Sequence, residues 1–324
     1  MISRLQRYAA ILPVSFGGSG DLSAGRGCVM DNNPLAAFYD ALQAAGVAPA
    51  SPSALVADGR LHRHRIEGDK PGSLNGWHVL HLDSPPSGAG GSWKSGARVN
   101  WCAKRLQSLT PAERVELARR IEQDRARAQA ETERRHREAA KRGKWAWEHA
   151  RPANPSHEYL RRKRLEPGIA RQRGDALVLP VLDFSGYLRG VQYVRADGTK
   201  RFIGGMAKSG GFIPVAAKPD GSRPLWIAEG WGTAATLQAM RPEVCCIAGL
   251  DAGNLAAVAV EARKRWPTLD IVVCPDFDAV GQAKGHDAAV AARAKILPMP
   301  ATIPPGCTDW NDWANSRRGV RHGA

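Results

Sequence analysis

From Pro224 onward the chain alternates short apolar runs with small-residue segments: "PLWIAEG", "TAATLQAM", "VCCIAG", "NLAAVAVEARKRW", "LDIVVCPD" and "DAAVAARAKI". The first, third and fifth read as strands, and the others as helices. This alternation constrains the fold more than any other feature of the sequence. Strands separated by helices pair in parallel through right-handed crossovers. Near-continuous apolar strands are those that such helices bury on both faces. All strands of a parallel sheet end at the same edge, where ligands bind. Glu229 closes the first strand and Asp276 the third. The topology therefore predicts two carboxylates, distant in sequence, at one rim.

The stretch "IVVCPDFDAVGQAKG" adds a third acid, Asp278. Side chains alternate faces along a strand, so Asp276 and Asp278 point the same way if the extended geometry continues. Two like charges that close repel each other unless something positive stands beside them. Taken alone, the stretch admits an acidic turn, with Pro275 and Gly281 as loop chemistry, or a divalent metal site. Convergence with Glu229 favours the metal. Oxygen donors without histidine suit Mg²⁺ or Mn²⁺.

"WIAEGWGTA" followed by "VVCPDFDAVGQAKGHDAA" resembles the Toprim domain of bacterial-type primases, topoisomerases, and some nucleases and recombination proteins. Upstream, "GTKRFIGGMAKSGGFIPV" is similar to the basic half of the bacterial-type primase core. Ala252-Gly253-Asn254 and Asp309-Trp310-Asn311-Asp312 bring the resemblance nearest to phage and plasmid primases, over residues 155 to 315. The resemblance implies a DNA primase that makes short RNA primers on single-stranded DNA from ribonucleoside triphosphates. Asp276 and Asp278 would then hold the metal, and Glu229 would ligate a second ion or take the 3′-hydroxyl proton. Lys200, Arg201 and Lys208 would neutralise the triphosphate and hold the nucleic-acid backbone. Asn254 would orient a nucleotide or a metal-bound water, or else cap a helix. Asp309 and Asp312 would add an outer metal contact, with helix capping the alternative for Asp309. Two departures stand out. Thr233 occupies the place of a further acid, and no zinc ribbon pattern is present. A Toprim nuclease is the rival enzyme reading, although it has no triphosphate for the basic segment to bind. A non-catalytic DNA-binding replication or recombination protein is the other.

The rest of the chain bears on partners. Lys and Arg total 46 against 31 Asp and Glu, a net charge of +15 that fits nucleic acid. "YLRRKRLEPGIARQR" concentrates Arg161, Arg162, Lys163 and Arg164, a block expected to face a polyanion. The six cysteines form no CxxC pair, so neither zinc nor a disulfide scaffold is expected. "GGMAKSGG" lacks the features of a Walker loop, so a primase here would rely on a separate replicative helicase or act on strands already single. No apolar run approaches the roughly 20 residues of a membrane helix, and the protein is expected to be cytoplasmic. Residues 1–29 read as a mobile extension, with Met30 as a natural start. Residues 30–108 read as a small β-rich domain with His62, His64, His78 and His81. There a basic face of Arg60, Arg63, Arg65, Lys70 and Lys94 is expected, and Trp77 and Trp93 could stack on bases. Residues 109–150 read as a charged helical connector starting at the Thr110–Glu113 capping box. Residues 151–220 read as a basic α+β subdomain and 221–324 as the Toprim domain.

Overall fold

The structure, a computed structural model, describes residues 33–104 and 106–320. The expected mobile extension and the start at Met30 lie outside the described residues. The described chain divides into two compact units, one up to Ala130 and one from Glu131.

In the first unit, Asn33 caps helix α1 (Pro34–Ala44), its side chain accepting from the N–H groups of Leu35 and Ala36. Four strands follow, β1 (His62–His64), β2 (Gly76–His81), β3 (Ser87–Ser92) and β4 (Arg98–Cys102). They pair antiparallel in sequence order. Phe38 and Leu42 of α1 pack with Val47, Leu55 and Leu80. Trp77 is only 1% exposed and packs 5.8 Å from Trp93. That burial makes Trp77 a core residue, the usual fate of so large a ring, in place of a base-stacking one. Two of the four histidines, His64 and His78, form a buried hydrogen-bonded chain, while His62 pairs with Asp58 and His81 with Asp124. Val56 N–H donates to His78 Nε2 (3.1 Å), His78 and His64 share an Nδ1···Nδ1 bond (3.2 Å), and His64 Nε2 donates to the Val47 carbonyl (2.9 Å). Every ring nitrogen of that pair has a partner if both rings are neutral. Arg60, Arg63, Arg65 and Lys70 are exposed as expected, and Lys94 pairs with Asp69.

Helix α2 (Pro111–Glu148) starts at the anticipated box: Glu113 N–H donates to the Thr110 hydroxyl (3.2 Å) and Thr110 N–H to the Glu113 carboxylate (2.9 Å). Its beginning buries Leu117 and Arg120, the latter paired with Asp83 at 3.0 Å. Its later turns bury Ala139, Ala140 and Ala146 within the second unit.

The second unit holds two sheets. The first is antiparallel in sequence order: β5 (Arg151–Pro152), β6 (Arg171–Arg173), β7 (Ala176–Leu182), β8 (Leu188–Arg195) and β9 (Lys200–Phe202), with α3 (Glu158–Lys163) between β5 and β6. Helix α2 lies so close to β8 that a Cβ on Gly143 would stand 2.6 Å from Gly190 Cα. Only glycine permits that approach.

The second sheet contains β10 (Ile213–Pro214), β11 (Leu225–Ala228), β12 (Cys245–Ala248), β13 (Ile271–Cys274) and β14 (Lys295–Ile296), ordered β10-β12-β11-β13-β14. The last four run parallel, as the alternation requires, and β10 adds an antiparallel edge. Helices α4 (Trp231–Met240), α5 (Leu255–Arg265) and α6 (Ala279–Ala292) follow β11, β12 and β13 in turn, and α7 (Trp310–Val320) closes the described chain. Strands β11 to β13 are almost wholly buried, which is why they read as continuous apolar runs. Cys245, Cys246 and Cys274 lie in them as buried free thiols. No described helix is long and apolar enough to cross a membrane.

Candidate functional site

Ala228 stands opposite Cys274 in the parallel pairing of β11 and β13, so both strands release the chain at one rim. Glu229 and Asp276 follow there, each half-buried. Burial raises the Glu229 pKa, helped by the Asp278 charge, while the Ala252 N–H, Lys200 and Lys208 oppose it. Burial likewise pushes Asp276 up to about 7, with the charges of Glu229 and Asp309 adding to it. Lys200 and a hydrogen bond from Thr233 pull the other way. The Thr233 hydroxyl donates to Asp276 Oδ1 at 3.4 Å.

Asp278 behaves differently. The strand ends at Cys274, so strand alternation does not govern its direction. Its exposed carboxylate caps α6 by accepting from Gly281 N–H at 2.6 Å. Free N–H groups at a helix start compete well for a carboxylate. Among the described residues no group of three His, Cys, Asp or Glu side chains is arranged to hold a metal. The three acids share the rim without forming a finished ligand set.

The cations come from the antiparallel sheet and the loop beyond it. Lys200 and Arg201 are exposed on β9, and a Cβ on Gly230 would lie 3.3 Å from Lys200 Nζ. Lys208 is half-buried, ion-paired with Asp251, with its ammonium 4.9 Å from the Phe202 ring centroid. Asn254 neither caps α5 through its side chain nor leaves its amide open. It accepts from Gly210 N–H (2.9 Å) and donates to the carbonyls of Gly211 (2.9 Å) and Gly249 (2.8 Å). In the basic block, Arg161 and Arg164 are exposed, and Arg162 donates to the Ala196 carbonyl at 2.8 Å. Lys163 instead turns inward to Asp312 (2.9 Å) and Asp309 (3.3 Å). Asp309 also caps α7 by accepting from Asp312 N–H at 2.8 Å. These two acids thus have partners of their own.

The family model of the Toprim domain matches residues 224–318. This part of the chain is a Toprim domain. Over a longer span the chain is similar to two Escherichia coli proteins, each named DNA primase TraC. One is 31% identical over 297 residues, covering 83% of this chain and 27% of the relative. The other is 30% identical over 280 residues, covering 81% and 19%. The chain therefore spans only a minor part of the relatives it matches. A crystal structure of the primase fragment of the bacteriophage T7 primase-helicase protein aligns over 53% of this chain and 72% of its own. Its identity is 14% and its TM-score 0.38, too loose a likeness to bear on function.

Several residues that shape the Toprim rim escaped the sequence reading. Thr233 looked like a missing acid and is in fact a donor to one. Asp251, directly before "AGN", carries no sequence signal for its ion pair with Lys208. The start of α7 supports the Toprim acids from behind: Phe277 N–H donates to the Thr308 carbonyl (2.9 Å) and Trp310 Nε1 to the Pro275 carbonyl (3.2 Å). Only the spacing of "TDWND" from the acids hinted at this, and spacing does not reveal a contact.

Proposed function

We propose that this chain acts as a DNA primase, joining ribonucleotides on a single-stranded DNA template. The observation that carries the reading is the meeting of unlike charges at one rim. Glu229 of the Toprim domain feels both Lys200 and Lys208 of the preceding segment. Acids alone suit phosphodiester hydrolysis, whereas a triphosphate also needs cations. The relatives' printed name supports the same reading.

The donor set fits Mg²⁺ or Mn²⁺. All the donors are carboxylate oxygens, and the Glu229 charge raises the pKa of Asp276 while that of Asp278 raises Glu229, a repulsion that a cation relieves. Glu229, Asp276 and Asp278 would hold the ion, drawing together from their present partners. When bound, it supplies charge neutralisation at the attacking and leaving oxygens of nucleotidyl transfer. Lys200, Arg201 and Lys208 bind the triphosphate. Glu229, where it does not serve as a ligand, would instead accept the 3′-hydroxyl proton. Arg161 and Arg164 follow the template backbone. The template is expected to reach the protein already unwound, by a separate replicative helicase serving a mobile element.

The test is direct. Purified protein is incubated with single-stranded DNA, labelled ribonucleotides and Mg²⁺ or Mn²⁺. Short RNA products are expected from the wild type and none from Asp276→Ala. Cleavage of the DNA without any nucleotide requirement would overturn the reading in favour of a nuclease.

A further inference from the structure

Lys208 stands where the proposed nucleotide site needs a cation, yet its ammonium is already taken by Asp251. Both side chains are largely withdrawn from solvent, at 15% and 29% exposure. The pair is not a casual meeting of surface groups, because the surrounding chain builds it. Asn254 fastens Gly210 and Gly211 on the lysine's side to Gly249 on the aspartate's side. Leu250 has a φ of 79°, a left-handed conformation costly for leucine, and the next residue is Asp251. The Phe202 ring beneath the ammonium limits where else it can turn. Asp251 Oδ1 is buried without a hydrogen-bond partner, so the carboxylate is committed to Lys208 through its other oxygen.

We propose that Asp251 is a latch on the nucleotide site: its carboxylate occupies Lys208 in place of a phosphate of the incoming ribonucleoside triphosphate, which must displace it to bind. The inference rests on the primase reading and deepens it. A carboxylate and a phosphate offer an ammonium the same kind of charged oxygen. Two such anions on one half-buried lysine repel each other, so the internal one lowers affinity for the external one. The latch also keeps Lys208 ordered and neutralised beside Glu229 until a nucleotide arrives. A triphosphate can exchange for Asp251 because its several charges also reach Lys200 and Arg201.

The experiment measures binding of a fluorescent ATP analogue with Mg²⁺ to the full chain, without DNA, so that no primer need be made. Asp251→Asn keeps the shape and an acceptor while removing the charge. It should tighten binding about five- to twentyfold. Asp251→Ser, smaller and also neutral, should act in the same direction and serves if the first variant folds poorly. In a Lys208→Ala background, Asp251→Asn should change affinity by no more than about twofold, since no lysine remains to be released. Unchanged or weaker binding in the neutral variants would overturn the latch, as would an equal gain in the Lys208→Ala background. Those results leave primer synthesis untouched as evidence for the primase. If neither wild type nor variants bind the nucleotide, the latch and the nucleotide site fall together.

Discussion

Asp276 occupies a position where its charge is expensive. Burial comes first among the causes, the negative neighbours Glu229 and Asp309 come next, and its pKa reaches about 7. In metal-free protein at neutral pH, Asp276→Asn should therefore stabilise the fold. Asparagine keeps an acceptor for Thr233 and carries no charge. After discounting for solvent screening, the gain should be about 1–2 kcal/mol, a rise of a few degrees in melting temperature. Added Mn²⁺ should raise the melting temperature of the wild type more than that of the variant. Thermal melts with and without metal check both points, and a lower metal-free melting temperature for the variant would make Asp276 a packing residue. At this scale the sequence was informative about which acids gather and silent about how they are held. Acids at strand ends follow from topology. That Asp278 caps α6, or that Thr233 bonds Asp276, depends on local competition between donors that a list of residues does not rank.

Among the elements, the parallel sheet was legible because buried parallel strands and small-residue helices leave strong periodic signatures. The supporting role of α7 was not, because it is made of tertiary contacts across the whole second unit. Asn311 is 2% exposed and donates to the Lys163 carbonyl and to the Thr236 hydroxyl, both at 2.8 Å. Asn311→Ala strands these buried groups and should cost about 1–3 kcal/mol, read as a lower urea midpoint; an unchanged midpoint would deny the contacts any weight. The histidine chain makes a second prediction at this scale. Burial is the first cause lowering His78 to about 4, with His64 and His62 adding to it and Asp58 opposing. The unfolded chain takes up this proton as pH falls through its ordinary value of 6.5, while the folded one stays neutral until about 4. The contribution is thus complete above pH 6.5, lost progressively down to pH 4, and level below. It amounts to at most about 3 kcal/mol. Urea unfolding between pH 4 and 7 should show this slope in the wild type and a flatter one in His78→Gln. Equal slopes would assign the pH dependence elsewhere.

For the molecule as a whole, the net charge of +15 predicts single-strand affinity that falls with salt. The sequence alone treats Arg161, Arg162, Lys163 and Arg164 as one basic block. The structure separates them by what each already touches. Arg161 and Arg164 are exposed, whereas Lys163 is spent on Asp309 and Asp312. A cation paired with two carboxylates releases few counterions, because its charge is already balanced. Replacing both Arg161 and Arg164 with glutamine should therefore reduce the slope of log affinity against log salt by about 1.4, at roughly 0.7 per phosphate contact on a single strand. Stability should barely move, since neither side chain is buried. Lys163→Met should do the reverse. Its loss leaves two partly buried acids facing each other without a counter-charge, so the melting temperature should fall while the salt slope stays within error of wild type. Fluorescence anisotropy on a labelled oligonucleotide across a salt series, run beside thermal melts, separates the two effects. If Lys163→Met flattened the slope as much as an arginine variant does, the lysine would have to leave its acids to reach the strand. The block would then act as a single nucleic-acid contact, and α7 would lose its claim to Lys163.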